Sequence, residues 1–169
     1  MTENINELIA QVEADERRLV LTRFSNDDAW KLGTILMELA TTRDLAVTID
    51  IRRGNQQLFH AARPGTSAHN DVWIQRKVNT VQEHGISSFL AGLRARVMGH
   101  TFEEAPWIDA QRFAGHGGGF PISVTGAGVI GVVTVSGLPQ ADDHALAVEA
   151  LGILQGAESS VTKKERRAR

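Results

Sequence analysis

Apolar residues recur along this chain in three rhythms, and the rhythms mark out its elements. Ile5, Leu8, Ile9 and Val12 fall at helical spacing and predict a helix over 5–17. A short strand is expected at 18–21. Ser25 with Asp28 three residues on has the form of a capping box. Ala29, Leu32, Gly33, Leu36, Met37 and Ala40 then give a second helix a broad apolar face, ending near 42 or 43. Between Leu45 and Arg52 the rhythm changes to two: Val47, Ile49 and Ile51 point one way, Thr48, Asp50 and Arg52 the other. Gly54-Asn55 turns the chain, and 57–61 returns as the second strand of a hairpin. Helices are expected from about 72 to 83, closed by Gly85, and from 89 to about 98, capped by Ser87 or Ser88. Residues 101–109 contain Pro106 and read as a loop, and 110–114 as a short strand.

The stretch from Gly115 to His144 carries the third rhythm. Gly117, Gly118 and Gly119 open onto a strand over 120–124, Gly126 and Gly128 reverse the chain, and 129–135 is apolar on nearly every residue. A strand of that composition needs cover on both faces. Ser136, Gly137 and Pro139 stop it and start a last helix, from Ala141 to about Gly156, which is apolar nearly all round. One side of that helix can pack on a sheet, and the other calls for a second subunit. The expectation is therefore a homo-oligomer, at least a dimer, with the last helix or the Trp73 helix at a contact. Residues 157–169 form a polar, basic tail expected to be solvated and frayed. Hairpin strands with helices between the pairs predict a single α+β domain, residues 1–169, with its core over about 19–156 and an antiparallel sheet flanked by helices.

Composition narrows the function classes. With 169 residues, 42% of them apolar and 22% charged, the chain suits one globular domain with a substantial core. Its net charge of −2 provides no basic field to gather nucleic acid. No apolar run approaches the roughly 20 residues of a spanning helix, so no membrane partner is expected. The start, Met1-Thr2-Glu3-Asn4, lacks a signal peptide's basic-then-apolar order, and a cytoplasmic location is the expectation. The chain has no cysteine, which removes disulfides, thiolate nucleophiles and thiolate ligands.

Four groups carry candidate chemistry. The bare backbone of Gly117, Gly118 and Gly119 can approach a flat or anionic ligand, or it can be a tight connection that needs positive φ. There is no Walker lysine and no helix directly after it, so it is not a phosphate loop. His116 beside it can ligate a haem iron or act as acid or base, or be structural. His69, Trp73, Arg76, Lys77 and Thr80 share one face of the third predicted helix. An indole beside two cations suits a planar molecule with carboxylates; the alternative is a core or interface tryptophan with solvated cations around it. Asp142-Asp143-His144 falls in the first turn of the last helix, where carboxylates complement the dipole. Ser136 lacks the G-x-S-x-G elbow of a hydrolase.

His116-Gly117-Gly118-Gly119-Phe120-Pro121-Ile122, Gly128-Val129-Ile130-Gly131, Val135-Ser136-Gly137-Leu138-Pro139 and Asp142-Asp143-His144 together resemble the haem-degrading, GlcG/HbpS-like family. Trp73-Ile74-Gln75-Arg76-Lys77 and Ser87-Ser88 fit its UPF0303 branch. The resemblance spans roughly 19–154. It implies a profilin-like three-layer α/β/α sandwich and a haem-binding or haem-degrading function, with haem as cofactor. A ligand would lie between the glycine loop and the third helix, touching His116, Gly117, Gly118, Gly119, Trp73, Arg76 and Lys77, with His116 on the haem iron. Two other readings stay open: a non-enzymatic oligomeric protein whose glycine motifs are architectural, and a domain that binds a small planar anion without chemistry.

Overall fold

Five strands, β1 (Val20–Leu21), β2 (Thr48–Arg53), β3 (Gln56–Ala62), β4 (Gly119–Val124) and β5 (Gly128–Ser136), form one sheet in the order β1-β4-β5-β2-β3. The computed structural model describes the backbone of residues 2–167 and the side chains of 4–160. Both hairpins, β2–β3 and β4–β5, are antiparallel, as is the central β2–β5 pair. Only the two-residue β1 runs parallel to its neighbour, pairing Val20 with Ser123. Pro121 lies where β4 has no outer neighbour, the place a sheet tolerates proline.

Five helices cover both faces: α1 (Thr2–Arg18), α2 (Asn26–Thr42), α3 (Ala68–His84), α4 (Ser88–Val97) and α5 (Gln140–Arg167). Leu32 and Leu36 of α2 and Leu151 and Leu154 of α5 close one core with Ile49, Ile51, Phe120 and Val133 of the sheet. On the other face Ile74, Val78 and Val81 of α3 pack on Val132, and α1 and α4 extend that layer through Val12, Phe89, Leu90 and Leu93. This is the three-layer α/β/α arrangement expected.

The differences from expectation have physical causes. Thr48 and Asp50 point away from Val47, Ile49 and Ile51, as the alternation requires, yet α3 covers that face too and both are fully buried. Asp50 is satisfied by Arg52 Nε at 2.7 Å, by the Gln57 amide and by His60 Nδ1 at 3.1 Å. Helix α3 begins at Ala68 rather than Val72, because Ser67 caps it and Asn70 returns the bond, its Oδ1 accepting from Ser67 N at 2.9 Å. Residues 110–114 are not a strand: 110–112 form turns, Asp109 takes the N–H groups of 111–113, and side chains of α3 take the carbonyls of 112–114. Within 101–109 a short 3-10 helix, Phe102–Glu104, replaces plain loop. Helix α5 runs past Gly156 to Arg167, and the frayed tail expected there falls largely outside the described side chains. Its second side is covered from within the chain: the broad apolar stripe of α2 packs beside it, and Arg43 grips Glu149 with both terminal nitrogens at 2.7 and 2.8 Å. Of the apolar residues expected to need a second subunit there, Ala145 and Ile153 stay exposed. No helix among the described residues is long and apolar enough to cross a membrane.

Candidate functional site

The N-terminal turn of α3 sets out two rings on one face. His69 and Trp73 stand four residues apart, and Trp73 Nε1 donates to His69 Nε2 at 3.1 Å. Further along, α3 holds an irregular segment by its backbone. Asn79 Nδ2 donates to Arg112 O at 2.7 Å, Arg76 Nε to Phe113 O at 3.3 Å, and Thr80 Oγ1 to Ala114 O at 2.9 Å while accepting from Ala114 N at 3.1 Å. Those bonds lay residues 112–116 along the helix and bring His116 to Trp73, their ring centroids 4.9 Å apart and 63° between planes. Arg76 also lies on that indole, its Cζ 4.4 Å from the ring centroid.

Here α3, the 112–116 segment and the start of α5 bound an open cleft of about 250 Å³, lined by His69, Asn70, Trp73, Lys77, His116, Ser136, Gly137, Leu138, Gln140 and Asp143. At its rim Glu103 Oε1 accepts from Gly115 N at 2.7 Å and lies 3.1 Å from His116 Nδ1. Partial burial pushes the Glu103 carboxyl up, but the bonds from His116 and Gly115 outweigh it and bring the pKa down to about 2. Glu103 is therefore an anion across the working pH range, and Nε2 of His116 has no hydrogen-bond partner among the described residues.

At the floor sits a buried ion pair. Lys77, 3% exposed, donates to Asp143 Oδ2 at 3.0 Å and to Val135 O at 2.9 Å. Asp143 also accepts from Leu138 N at 2.9 Å and Gly137 N at 3.4 Å. Burial pushes the lysine down and the carboxyl up, and their mutual attraction works against both shifts.

The geometry divides the residues singled out from sequence. His116 and Trp73 meet in the cleft wall, and Arg76 backs the indole. Lys77 reaches the cleft but spends its charge on Asp143. The glycines lie behind the wall: Gly117, Gly118 and Gly119 are all buried. A Cβ on Gly117 would stand 2.0 Å from Gln140 O, one on Gly118 2.2 Å from Val135 O, and one on Gly119 3.0 Å from Ser88 Oγ. Gly118 has φ +126°. Their bareness lets backbone pass between α3, α4 and α5, so protein atoms occupy the approach that a ligand was expected to make. Ser88 completes the wedge, accepting from Gly119 N at 3.0 Å and donating to His116 O at 2.5 Å.

Sequence reasoning missed two residues of the site. Glu103 was passed over within a presumed loop, although Thr101-x-x-Glu104 spells a capping box, and Thr101 N indeed donates to Glu104 Oε2 at 2.6 Å. Asp143 was read as a helix-dipole partner; its pairing with Lys77, 66 residues away, leaves no local signal.

Residues 24–152 match the family described as "Haem degrading protein HbpS-like". A UPF0303 protein of Streptomyces coelicolor is 56% identical over 143 residues, which cover 85% of this chain and 90% of that one. The solved structure of the Ybr137w protein superposes with a TM-score of 0.82 at 31% identity, over 92% of this chain and 95% of that chain. The fold is shared, at 17% identity and a TM-score of 0.65, with a PduOC:heme complex, over 76% and 93% of the two chains.

Proposed function

Because the chain belongs to the haem-degrading HbpS-like family, in its UPF0303 branch, we propose that the cleft binds haem or a related planar, anionic molecule. The observation that carries this reading is His116 in the cleft wall, edge-on to Trp73 and with one ring nitrogen unpartnered among the described residues. The donor set fits the group. His116 would supply the nitrogen ligand, Trp73 a flat apolar wall, and Arg76, which backs the indole outside the cleft lining, a cation at the edge for a carboxylate. Arg76 is the better counter-charge of the two expected, because Asp143 neutralises Lys77. That the related fold of PduOC was solved as a heme complex supports the choice of ligand. Bound haem would supply oxygen chemistry through its iron; the protein contributes position and a dry face. A volume of about 250 Å³ lies below the roughly 300–1,000 Å³ of closed small-molecule pockets, so one chain covers only part of such a ligand. A second copy completing the cover fits this, and we extend the proposal to a homo-oligomer of at least two chains.

A second reading is that the chain binds a planar anion without chemistry, as a non-enzymatic oligomeric protein. The burial of Gly117–Gly119 favours it, since that makes the motif architectural.

Optical titration with hemin tests the proposal on the wild type, His116→Ala and Arg76→Ala, with sedimentation of the same samples. The expected result is a shifted Soret band in the wild type, its loss in His116→Ala and weaker affinity in Arg76→Ala. Wild type binding hemin no better than an unrelated protein removes the haem reading. A monomer near 18.4 kDa with ligand bound removes the shared cleft.

A further inference from the structure

The chain has six histidines, and the structure distinguishes one as a nitrogen donor. Nε2 of His69 already accepts from Trp73. Both ring nitrogens of His60 face carboxylates, Asp50 at 3.1 Å and Asp71 at 3.2 Å. His144 is buried away from the cleft, between Phe89 and Phe120. His84 meets Phe102 edge-on, and His100 turns Nδ1 to Thr101 O. His116 alone lines the cleft with one nitrogen on a carboxylate and the other unpartnered among the described residues.

We infer that Glu103 is the positioning residue of this site: it fixes His116 as the Nδ1–H tautomer and so presents Nε2 as a lone-pair donor to the cleft. The inference deepens the haem reading and rests on it for the identity of the ligand. Glu103 is ionised and so can only accept. A contact of 3.1 Å between its Oε1 and His116 Nδ1 therefore requires the proton on Nδ1. In the neutral ring Nε2 is then bare, the form that ligates a metal, and the carboxylate behind the ring fixes its orientation. The same oxygen takes Gly115 N at 2.7 Å, so ring and backbone are fixed together. Glu103 is itself held rigidly. Phe102 beside it is buried against Gly115, and the Thr101–Glu104 bond closes the 3-10 helix that carries it. The other charged groups near the imidazole are Arg76, beyond Trp73, and the Lys77–Asp143 pair across the cleft, which compensates itself.

The test is the tautomer of His116 in the ligand-free protein, read from long-range proton–nitrogen-15 spectra at about pH 8, above the imidazole range. Wild type should show Nδ1 protonated and Nε2 bare. Glu103→Gln keeps an acceptor oxygen and should keep the tautomer. Glu103→Ala should release the ring to a mixture. Glu104→Ala, which breaks the neighbouring cap bond on the same short helix, should leave the tautomer unchanged and so separates positioning from general structure. Hemin affinity should fall about 10- to 100-fold in Glu103→Ala, the range for loss of a partner behind a ligating histidine. Persistence of the Nδ1–H form in Glu103→Ala, or unchanged hemin affinity there while His116→Ala loses binding, overturns the inference. If wild type binds no hemin, the proposed function fails, and the tautomer comparison still decides the role of Glu103.

Discussion

Lowering the pH from about 7.5 to about 5 should destabilise this protein by about 2 kcal/mol through His144 alone. The imidazole is 5% exposed and lies against Phe89 and Phe120, with ring centroids 5.0 and 5.6 Å away. Neither of its nitrogens has a hydrogen-bond partner among the described residues. Burial pushes its pKa down from 6.5 to about 4, and the attraction of Asp15 offsets only part of that. The folded value lies below the unfolded one, so on acidification the unfolded chain takes up a proton first. Stability is therefore intact above about 6.5 and is lost as the pH falls towards about 4, by about 3 kcal/mol in all at 1.36 kcal/mol per pH unit. His144→Leu removes both the titration and two unmade hydrogen bonds. At pH about 7.5 the variant should be as stable as wild type or more so. At pH about 5 it should have lost about 2 kcal/mol less, a gap of roughly 4–8 °C in Tm for a chain of this size. Urea melts and calorimetry at the two pH values measure the difference. Groups titrating in both proteins cancel in the comparison, and Glu103, held down at about 2, does not titrate in this window. Parallel losses in wild type and variant would refute the reasoning.

Two further outcomes follow from the packing beneath the cleft. Gly118→Val should lose at least about 2 kcal/mol, because a β-branched side chain meets both positive φ and the Val135 carbonyl. His116→Ala, at the cleft surface, should lose less, and equal Tm values for the two would count against the wedged-backbone account. Lys77→Met should cost about 3–5 kcal/mol by stranding Asp143, and adding Asp143→Leu should recover part of it. Recovery stays partial because Leu138 N and Gly137 N lose their acceptor. A double variant as unstable as the sum of the two singles would show that the pair is not coupled.

Much of the scaffold was legible because one property, the period of apolar residues, fixes both an element and its buried face. The capping box at Ser25 and Asp28 is in place, Ser25 N donating to Asp28 Oδ2 at 2.9 Å. The continuous apolar run of 129–135 is a central strand with β4 and β2 on its two sides. Errors arose where another element packs over a stretch and sets its surroundings. Asp50 alternates like an exposed residue, but its neighbours are Arg52, Gln57 and His60 under α3. Residues 110–114 were expected as a strand, yet the N–H groups of 111–113 turn back to Asp109 and the carbonyls of 112–114 bond the side chains of Asn79, Arg76 and Thr80. The apolar character of α5 is accounted for in large part by α2 of the same chain, with Ala145 and Ile153 left exposed. For the site, helical spacing gathers His69, Trp73, Arg76 and Lys77 onto one helix, but no spacing indicates that Glu103 stands behind His116 or Asp143 beneath Lys77.

The glycine motif lies outside the cleft lining and is linked to the cleft by packing. Residues 117–119 thread between three helices, and the approaches at Gly117 and Gly118 are too close for a side chain. Gly117 abuts the backbone at Gln140, where α5 begins, and Gly118 lies against Val135 O and the Lys77 ammonium. A larger residue at either position must push the start of α5 away from α3. That displacement would draw Asp143 from Lys77 and move Leu138 and Gln140, which line the cleft opposite Trp73. The segment that holds His116 would shift with it, because Ser88 ties His116 O and Gly119 N to a single hydroxyl. The glycines thus bear on the width of the cleft and the station of His116 while lying outside its lining. Bare backbone in a motif of this kind can therefore be required for binding even where no ligand approaches it, because what the glycines admit is the rest of the protein.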